Sequence, residues 1–160
     1  MDSYRILLSL HIVAVILGLG ITFAYPFIQA FAEKTGVGAT RFVLRWMWRT
    51  EHMVVYPGAA LVAAFGIGLI FEDVTGYKDD MPTWLMIAIA WYVLAIGLAV
   101  TVQRRNLQDA LKAIEGVPDA AAFPAAYLAV SKRIQMVGGL LGLSIIGIAF
   151  MMVWGRTGGF

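Results

Sequence analysis

The 160-residue sequence has no cysteine, which removes both a disulfide framework and a thiolate metal site. Charge is scarce, at 14% of residues, against about 25% in soluble domains. The net charge of +2 is too small to point to a nucleic-acid partner. There are only two histidines, His11 and His52, and their spacing with Glu51 offers no metal-ligand set. The phosphate-cradling loop, the serine-hydrolase elbow and the paired-histidine protease helix are all missing. No internal repeat, linker or low-complexity segment stands out. These absences exclude most soluble catalytic chemistries.

What is present is hydrocarbon. Hydrophobic residues make up 61% of the chain, and the mean hydropathy is +0.80. Four stretches carry no Asp, Glu, Lys or Arg: Ile6–Ala32, Met53–Phe71, Met81–Gln103 and Ile134–Gly155, with 27, 19, 23 and 22 residues. About 20 residues at 1.5 Å rise cover a hydrocarbon core of ~30 Å. One such stretch is compatible with a buried soluble helix. Four in 160 residues leave too little polar chain to cover them. The expectation is an all-α membrane protein: a single domain over 1–160, folded as an antiparallel four-helix transmembrane bundle. Its spans fall at about 5–32, 50–71, 82–104 and 133–155. The first apolar stretch is far longer than a signal-peptide core and is expected to stay in the mature protein.

The Lys/Arg bias predicts the orientation. The segments after spans one and three hold Lys34, Arg41, Arg45, Arg49, Arg104, Arg105, Lys112, Lys132 and Arg133, nine cations against three elsewhere (Arg5, Lys78 and Arg156). Both long loops are therefore expected to be cytoplasmic, with both termini and the acidic turn Glu72, Asp73, Asp79, Asp80 outside. Helices are expected to run on past the membrane on the cytoplasmic side. Arg41, Arg45 and Arg49 recur every four residues among aromatic neighbours, a pattern suited to anionic headgroups. Residues 104–112 meet no helix breaker until Gly116 and Pro118, and Pro124 suits the first turn of the next helix. Pro26 and Pro57 predict kinks. Ala60, Ala64 and Gly68, like Gly138 and Gly142, are spaced for close helix approach in lipid.

Polar side chains within a span usually face the bundle interior. His11, Gly18, Thr22, Tyr25 and Gln29 share one stripe of span one, and Arg49, His52, Tyr56, Ala59, Ala63 and Gly66 share one of span two. With antiparallel chains, Tyr25 and Gln29 come level with Tyr56 and His52. A polar cluster of these four is expected on the cytoplasmic side, with Glu51, Gln103 and Gln135 at its rim. His11 lies toward the other face, roughly 15–20 Å from His52 along the membrane normal, so one haem cannot use both. A haem on His11 alone, or with Met151 or Met152 as second ligand, is the weaker cofactor expectation. Methionine is equally ordinary packing material.

His11-Ile12-Val13-Ala14-Val15 with Pro26 near the far end of span one resembles a bacterial family of four-helix integral membrane proteins of unknown function. Pro57-Gly58, Gly66-Ile67-Gly68-Leu69, Trp84-Leu85 and Met151-Met152-Val153 fit the same pattern. The landmarks are also distantly similar to the membrane-bound protoporphyrinogen oxidase of bacterial haem synthesis. That resemblance implies haem binding or catalysis at His11. The chain departs from the oxidase pattern at three points. Phe27 stands where the pattern has arginine, Met86–Trp91 lacks its lysine, and Gln135-Met136 replaces its Asn-Glu pair.

The resemblances place the chain in a bacterial inner membrane. Two functions compete, and a third, a small transporter or channel, is less favoured because four helices leave little room for a pathway and no ionisable residue other than His sits mid-span. One is a non-catalytic or accessory subunit, packed against other membrane subunits or against itself, with no catalytic residue. The other is a haem-binding or haem-handling protein using His11 and haem b. A visible spectrum of detergent-purified protein separates them: the haem reading expects a Soret band lost in His11→Ala, the subunit reading a colourless preparation.

Overall fold

The computed structural model describes residues 2–156, and among these all regular structure is helical. Helix α1 spans Asp2–Leu19, α2 Tyr25–Thr35, α3 Val37–Thr50, α4 Tyr56–Ile70, α5 Thr83–Leu98, α6 Arg104–Ile114 and α7 Ala125–Arg156. Short irregular turns join them into four rods: Asp2–Thr35, Val37–Ile70, Thr83–Ile114 and Ala125–Gly155, of 34, 34, 32 and 31 residues. Each rod is long and apolar enough to cross a membrane. Each also exceeds the ~20 residues that a bilayer needs, so roughly ten residues per rod are left over.

The two prolines sit at the seams inside the rods. Proline lacks an N–H and clashes with the carbonyl four residues earlier. Ahead of Pro26 the chain tightens into a 3-10 turn, Gly20–Ala24, in which the Tyr25 N–H bonds the Thr22 carbonyl. The Thr22 hydroxyl donates to the Leu19 carbonyl at 2.6 Å. Ahead of Pro57 the chain widens instead into a π turn, Glu51–Val55, closed by the Tyr56 N–H on the Glu51 carbonyl. A second π turn, Ala99–Gln103, has no proline behind it. There the Thr101 hydroxyl back-bonds the Gly97 carbonyl at 2.6 Å, a local competitor of the helical ladder.

The first two rods are joined by Gly36 alone. Its φ of +133° lies where only glycine is comfortable. Its carbonyl accepts from both the N–H and the hydroxyl of Thr40, so α3 starts without delay. At the other long junction α6 ends at Ile114, followed by Gly116 and Pro118, and α7 begins just after Pro124, whose carbonyl accepts from the Leu128 N–H.

Packing divides the molecule into two ends. At the cation-rich end, α2, α3, α6 and the start of α7 enclose Tyr25, Val37, Leu44, Met47, Leu107, Ala110, Ile114, Tyr127 and Ile134. At the other end contact is made by small residues. Gly18 lies against Gly58, His11 against Gly66 and Leu7 against Gly68, so residue number rises along α1 as it falls along α4. On the second pair of rods Gly147 lies against Trp91 and Gly155 against Trp84. The Tyr92 hydroxyl donates to the Ala59 carbonyl at 2.6 Å, tying α5 to α4. Ala60 and Ala64 are exposed; the close seam runs instead through Gly58, Ala59, Val62 and Gly66. Within the apolar windows of the rods, at most 17% of residues are buried inside the molecule. Much of the surface of the rods is therefore apolar and left uncovered by the protein itself.

A Cβ on Gly18 would sit 2.6 Å from the Gly58 Cα, closer than real contacts allow. Gly18→Ala should therefore force α1 from α4 and cost about 2 kcal/mol, read as a lower unfolding midpoint in detergent. Gly20→Ala, with nothing within 4 Å of the new methyl, should leave the midpoint unchanged or raise it. Equal midpoints for wild type and Gly18→Ala would contradict the close approach.

Candidate functional site

The Gly18–Gly58 and Tyr92–Ala59 contacts bring the three irregular turns to one level of the molecule, within about two helical turns of one another. Tyr25, Thr50, Glu51, Gln103 and Asn106 are all buried at or next to this level. Tyr25 meets Trp46 edge-on, with ring centroids 5.8 Å apart, and its hydroxyl lies in the electrostatic neighbourhood of Glu51 and Tyr56. Glu51 accepts a long hydrogen bond, 3.4 Å, from the Tyr56 hydroxyl. The Gln103 amide donates to the Ile134 carbonyl at 3.3 Å. The Tyr25 hydroxyl lies beside the Thr50 side chain, while Gln103 Oε1 and Asn106 Nδ2 have no hydrogen-bond partner among the described residues. Orphaned buried polar atoms are rare and usually hold water or a polar ligand, so this level is the polar feature of the rods with unused hydrogen-bonding capacity.

His52 belongs to the side of this level. Its ring stands 4.3 Å from Trp48 and 5.1 Å from Tyr56, centroid to centroid, in a three-ring ladder one helical turn per step. Its Nδ1 is 2.8 Å from the Trp48 carbonyl. A carbonyl can only accept, so Nδ1 carries the proton and a neutral His52 presents Nε2 as acceptor. The Arg104 guanidinium lies over Trp48 at 5.7 Å, a cation–π contact.

Gln29 engages a different set. Glu33, one turn further along α2, accepts from the Tyr127 hydroxyl at 2.6 Å, the Ser131 hydroxyl at 2.6 Å and the Gln29 amide at 3.0 Å. Gln29 also donates to Ser131 at 3.2 Å. Gln29, Tyr127 and Ser131 are buried, and the network clamps α2 to α7. Glu33 follows the uncharged stretch Ile6–Ala32 directly and was not singled out from the sequence. The signal was available as two helical i,i+4 pairs, Gln29/Glu33 and Tyr127/Ser131.

The remaining sequence candidates are spread out. Arg41 turns inward: its guanidinium donates to the carbonyls of Ile114 and Val117 and pairs with Asp119 at 2.8 Å. It thereby satisfies the open C-terminal carbonyls of α6, where positive charge is favoured. Arg45 and Arg49 stay exposed. His11 is half-buried against Gly66 in the α1–α4 seam, beside the Val62 backbone. Met151 and Met152 are half-buried near the far end of α7. Gln135 is exposed on α7 and lines a surface groove with α2. Among the described residues no group of three or more His, Asp or Glu is placed to hold a metal ion.

A family described as predicted integral membrane protein (DUF2269) matches residues 5–155. The chain belongs to that family. The DUF2269 match takes in all four rods and both polar sets, so the membrane assignment rests on nearly the whole chain. No curated protein and no solved structure matches.

In this DUF2269 chain the Glu33 clamp has a measurable weight. Removing the carboxylate leaves the Tyr127 and Ser131 hydroxyls without their acceptor in a buried seam, at about 1–3 kcal/mol for each group left unpaired, while the Gln29 amide keeps Ser131. Glu33→Ala should lower stability in detergent by about 3 kcal/mol, while Glu33→Gln, which keeps one acceptor oxygen, should lose less. An unfolding midpoint for Glu33→Ala equal to wild type would show that the network contributes nothing.

Proposed function

We propose that the protein is a non-catalytic membrane subunit that packs its rods against other membrane helices, in a larger complex or with copies of itself. In this reading the chain is one domain of four antiparallel spans in a bacterial cytoplasmic membrane. The cation-rich ends of the rods face the cytoplasm, and both termini lie on the opposite side. The nine-to-three distribution of Lys and Arg supports that sidedness.

Two glycines carry the reading. Gly97 on α5 and Gly139 on α7 are exposed, and neither has an atom within 4 Å of the place a Cβ would occupy. The Trp91–Gly147 and Trp84–Gly155 contacts set the register of these two helices and bring Gly97 within about a helical turn of Gly139 in depth. A glycine inside a helix costs about 1 kcal/mol relative to alanine. At Gly18, Gly58, Gly147 and Gly155 a close intramolecular neighbour accounts for it. At Gly97 and Gly139 none of the described residues does. Small residues exposed in a span suit the close approach of another helix backbone. The tightly hydrogen-bonded Glu33 and Arg41 fit the same reading, because both serve as ties between helices.

The assembly state in mild detergent and after crosslinking in membranes tests this. Wild type should run as a complex larger than the 17.5 kDa chain. Gly97→Leu combined with Gly139→Leu should release a monomer with unchanged helicity and unfolding midpoint. A wild type that stays monomeric in membranes, or a double variant that assembles as wild type does, would overturn the proposal.

A further inference from the structure

A groove of about 500 Å³ runs along the outside of the molecule, lined by Pro26, Phe27, Ala30, Phe31 and Lys34 of α2 and by Gln135 of α7. The groove is open to the outside along its length, so it suits a chain lying along the surface rather than an enclosed small molecule. The α2 residues Phe27, Ala30, Phe31 and Lys34 share one helical face by their three- and four-residue spacing. The opposite face, with Tyr25, Gln29 and Ala32, is buried. Ala30 leaves room for a floor between two large walls: Phe27 and Phe31 are 77% and 75% exposed. The clamp of Glu33 on Tyr127 and Ser131 sets the register of α2 against α7. In that register Gln135 comes opposite the start of α2, at the deep end of the groove, and Lys34 stands at the shallow end. The long axis of the groove therefore runs parallel to the rods.

The chemistry changes along that axis. Pro26 to Phe31 belong to the uncharged stretch of span one, and Lys34 is the first cation after it. Glu33 is the adjacent acid, but its carboxylate is taken up in the seam with α7. Lys34 is exposed and forms no ion pair among the described residues. Lys132, three residues before Gln135 on α7, is exposed as well. An occupant must enter from the bilayer, lie along its normal against aromatic walls, and present negative charge at the interface. We propose that the α2–α7 groove is a binding site for one anionic phospholipid. An acyl chain lies along Phe27, Ala30 and Phe31, the phosphate pairs with Lys34, and the Gln135 amide serves the carbonyl region. An interfacial lysine facing an anionic headgroup accounts for roughly a fivefold preference over a net-neutral one. The site is independent of the assembly reading above, because neither Gly97 nor Gly139 lines it.

Native mass spectrometry of the full chain, delipidated in mild detergent and titrated with single lipids, tests the site. Phosphatidylglycerol and phosphatidylcholine of identical acyl chains are the two probes. Wild type should retain one phosphatidylglycerol with about fivefold preference over phosphatidylcholine. Lys34→Gln should bring the two lipids close to parity. Ala30→Phe, which fills the floor, should weaken retention of both. Inorganic phosphate added in excess should not displace the lipid. Equal retention of both lipids by wild type, an unchanged preference in Lys34→Gln, unchanged retention in Ala30→Phe, or displacement by inorganic phosphate would each overturn the proposal. A common unfolding midpoint for wild type and variants distinguishes loss of the site from loss of the fold.

Discussion

In hydrocarbon every backbone N–H and C=O has to find its partner inside the protein, because no water is there to take its place. The architecture follows from that demand. The chain is helical along each rod, and where a proline breaks the ladder the neighbouring turn rearranges to absorb the loss. Pro26 is met by a tightened turn whose Tyr25 N–H takes the Thr22 carbonyl, and Pro57 by a widened one closed on the Glu51 carbonyl. The Tyr92 hydroxyl donates to the Ala59 carbonyl in the same economy of polar groups. The irregular turns come to one level, with Thr50, Glu51, Gln103 and Asn106 buried around it, while Gln29 and Ser131 are buried in a separate set with Glu33.

Stability is distributed unevenly for a related reason. Lipid tails are as apolar as leucine, so burying one span against another gains little from the hydrophobic effect. The α1–α4 and α5–α7 seams accordingly rely on close contact at Gly18, Gly58, Gly147 and Gly155. The ends of the rods beyond the hydrocarbon can use the hydrophobic effect in full. There the side chains of Val37, Leu44, Met47, Leu107 and Ile114 are withdrawn from solvent almost completely. Arg41 closes the same end by bonding the last carbonyls of α6. Two different physical regimes thus share each helix.

The rods were legible in the sequence because charge-free length is a coarse property that neighbours do not alter. Their continuation beyond the bilayer, the stop at Gly116–Pro118 and the restart at Pro124 were legible from local backbone rules. Which small residues touch was not. Ala60, Ala64 and Gly68 have the right spacing, but Ala60 and Ala64 lie on the exposed side of α4, and the contacts with α1 fall at Gly58, Gly66 and Gly68. The π turn at Ala99–Gln103 left no trace, since no proline or glycine pair marks it. For the polar residues, the stripe arithmetic of span one carried Tyr25 and Gln29 as one set. The structure sends Tyr25 toward Glu51 and Tyr56 and Gln29 toward Glu33 and Ser131. Period alone cannot separate them, because partner choice depends on the depth at which α7 crosses α2. Arg41 likewise looks the same as Arg45 and Arg49 in the sequence and differs only because the α6 terminus lies beside it.

The single-residue junction at Gly36 has a mechanical consequence. Two rods of 34 residues each meet there with no loop between them, so a displacement of α2 is carried directly into α3. The second two rods, separated by the longer segment from Glu115 to Pro124, lack that stiff coupling.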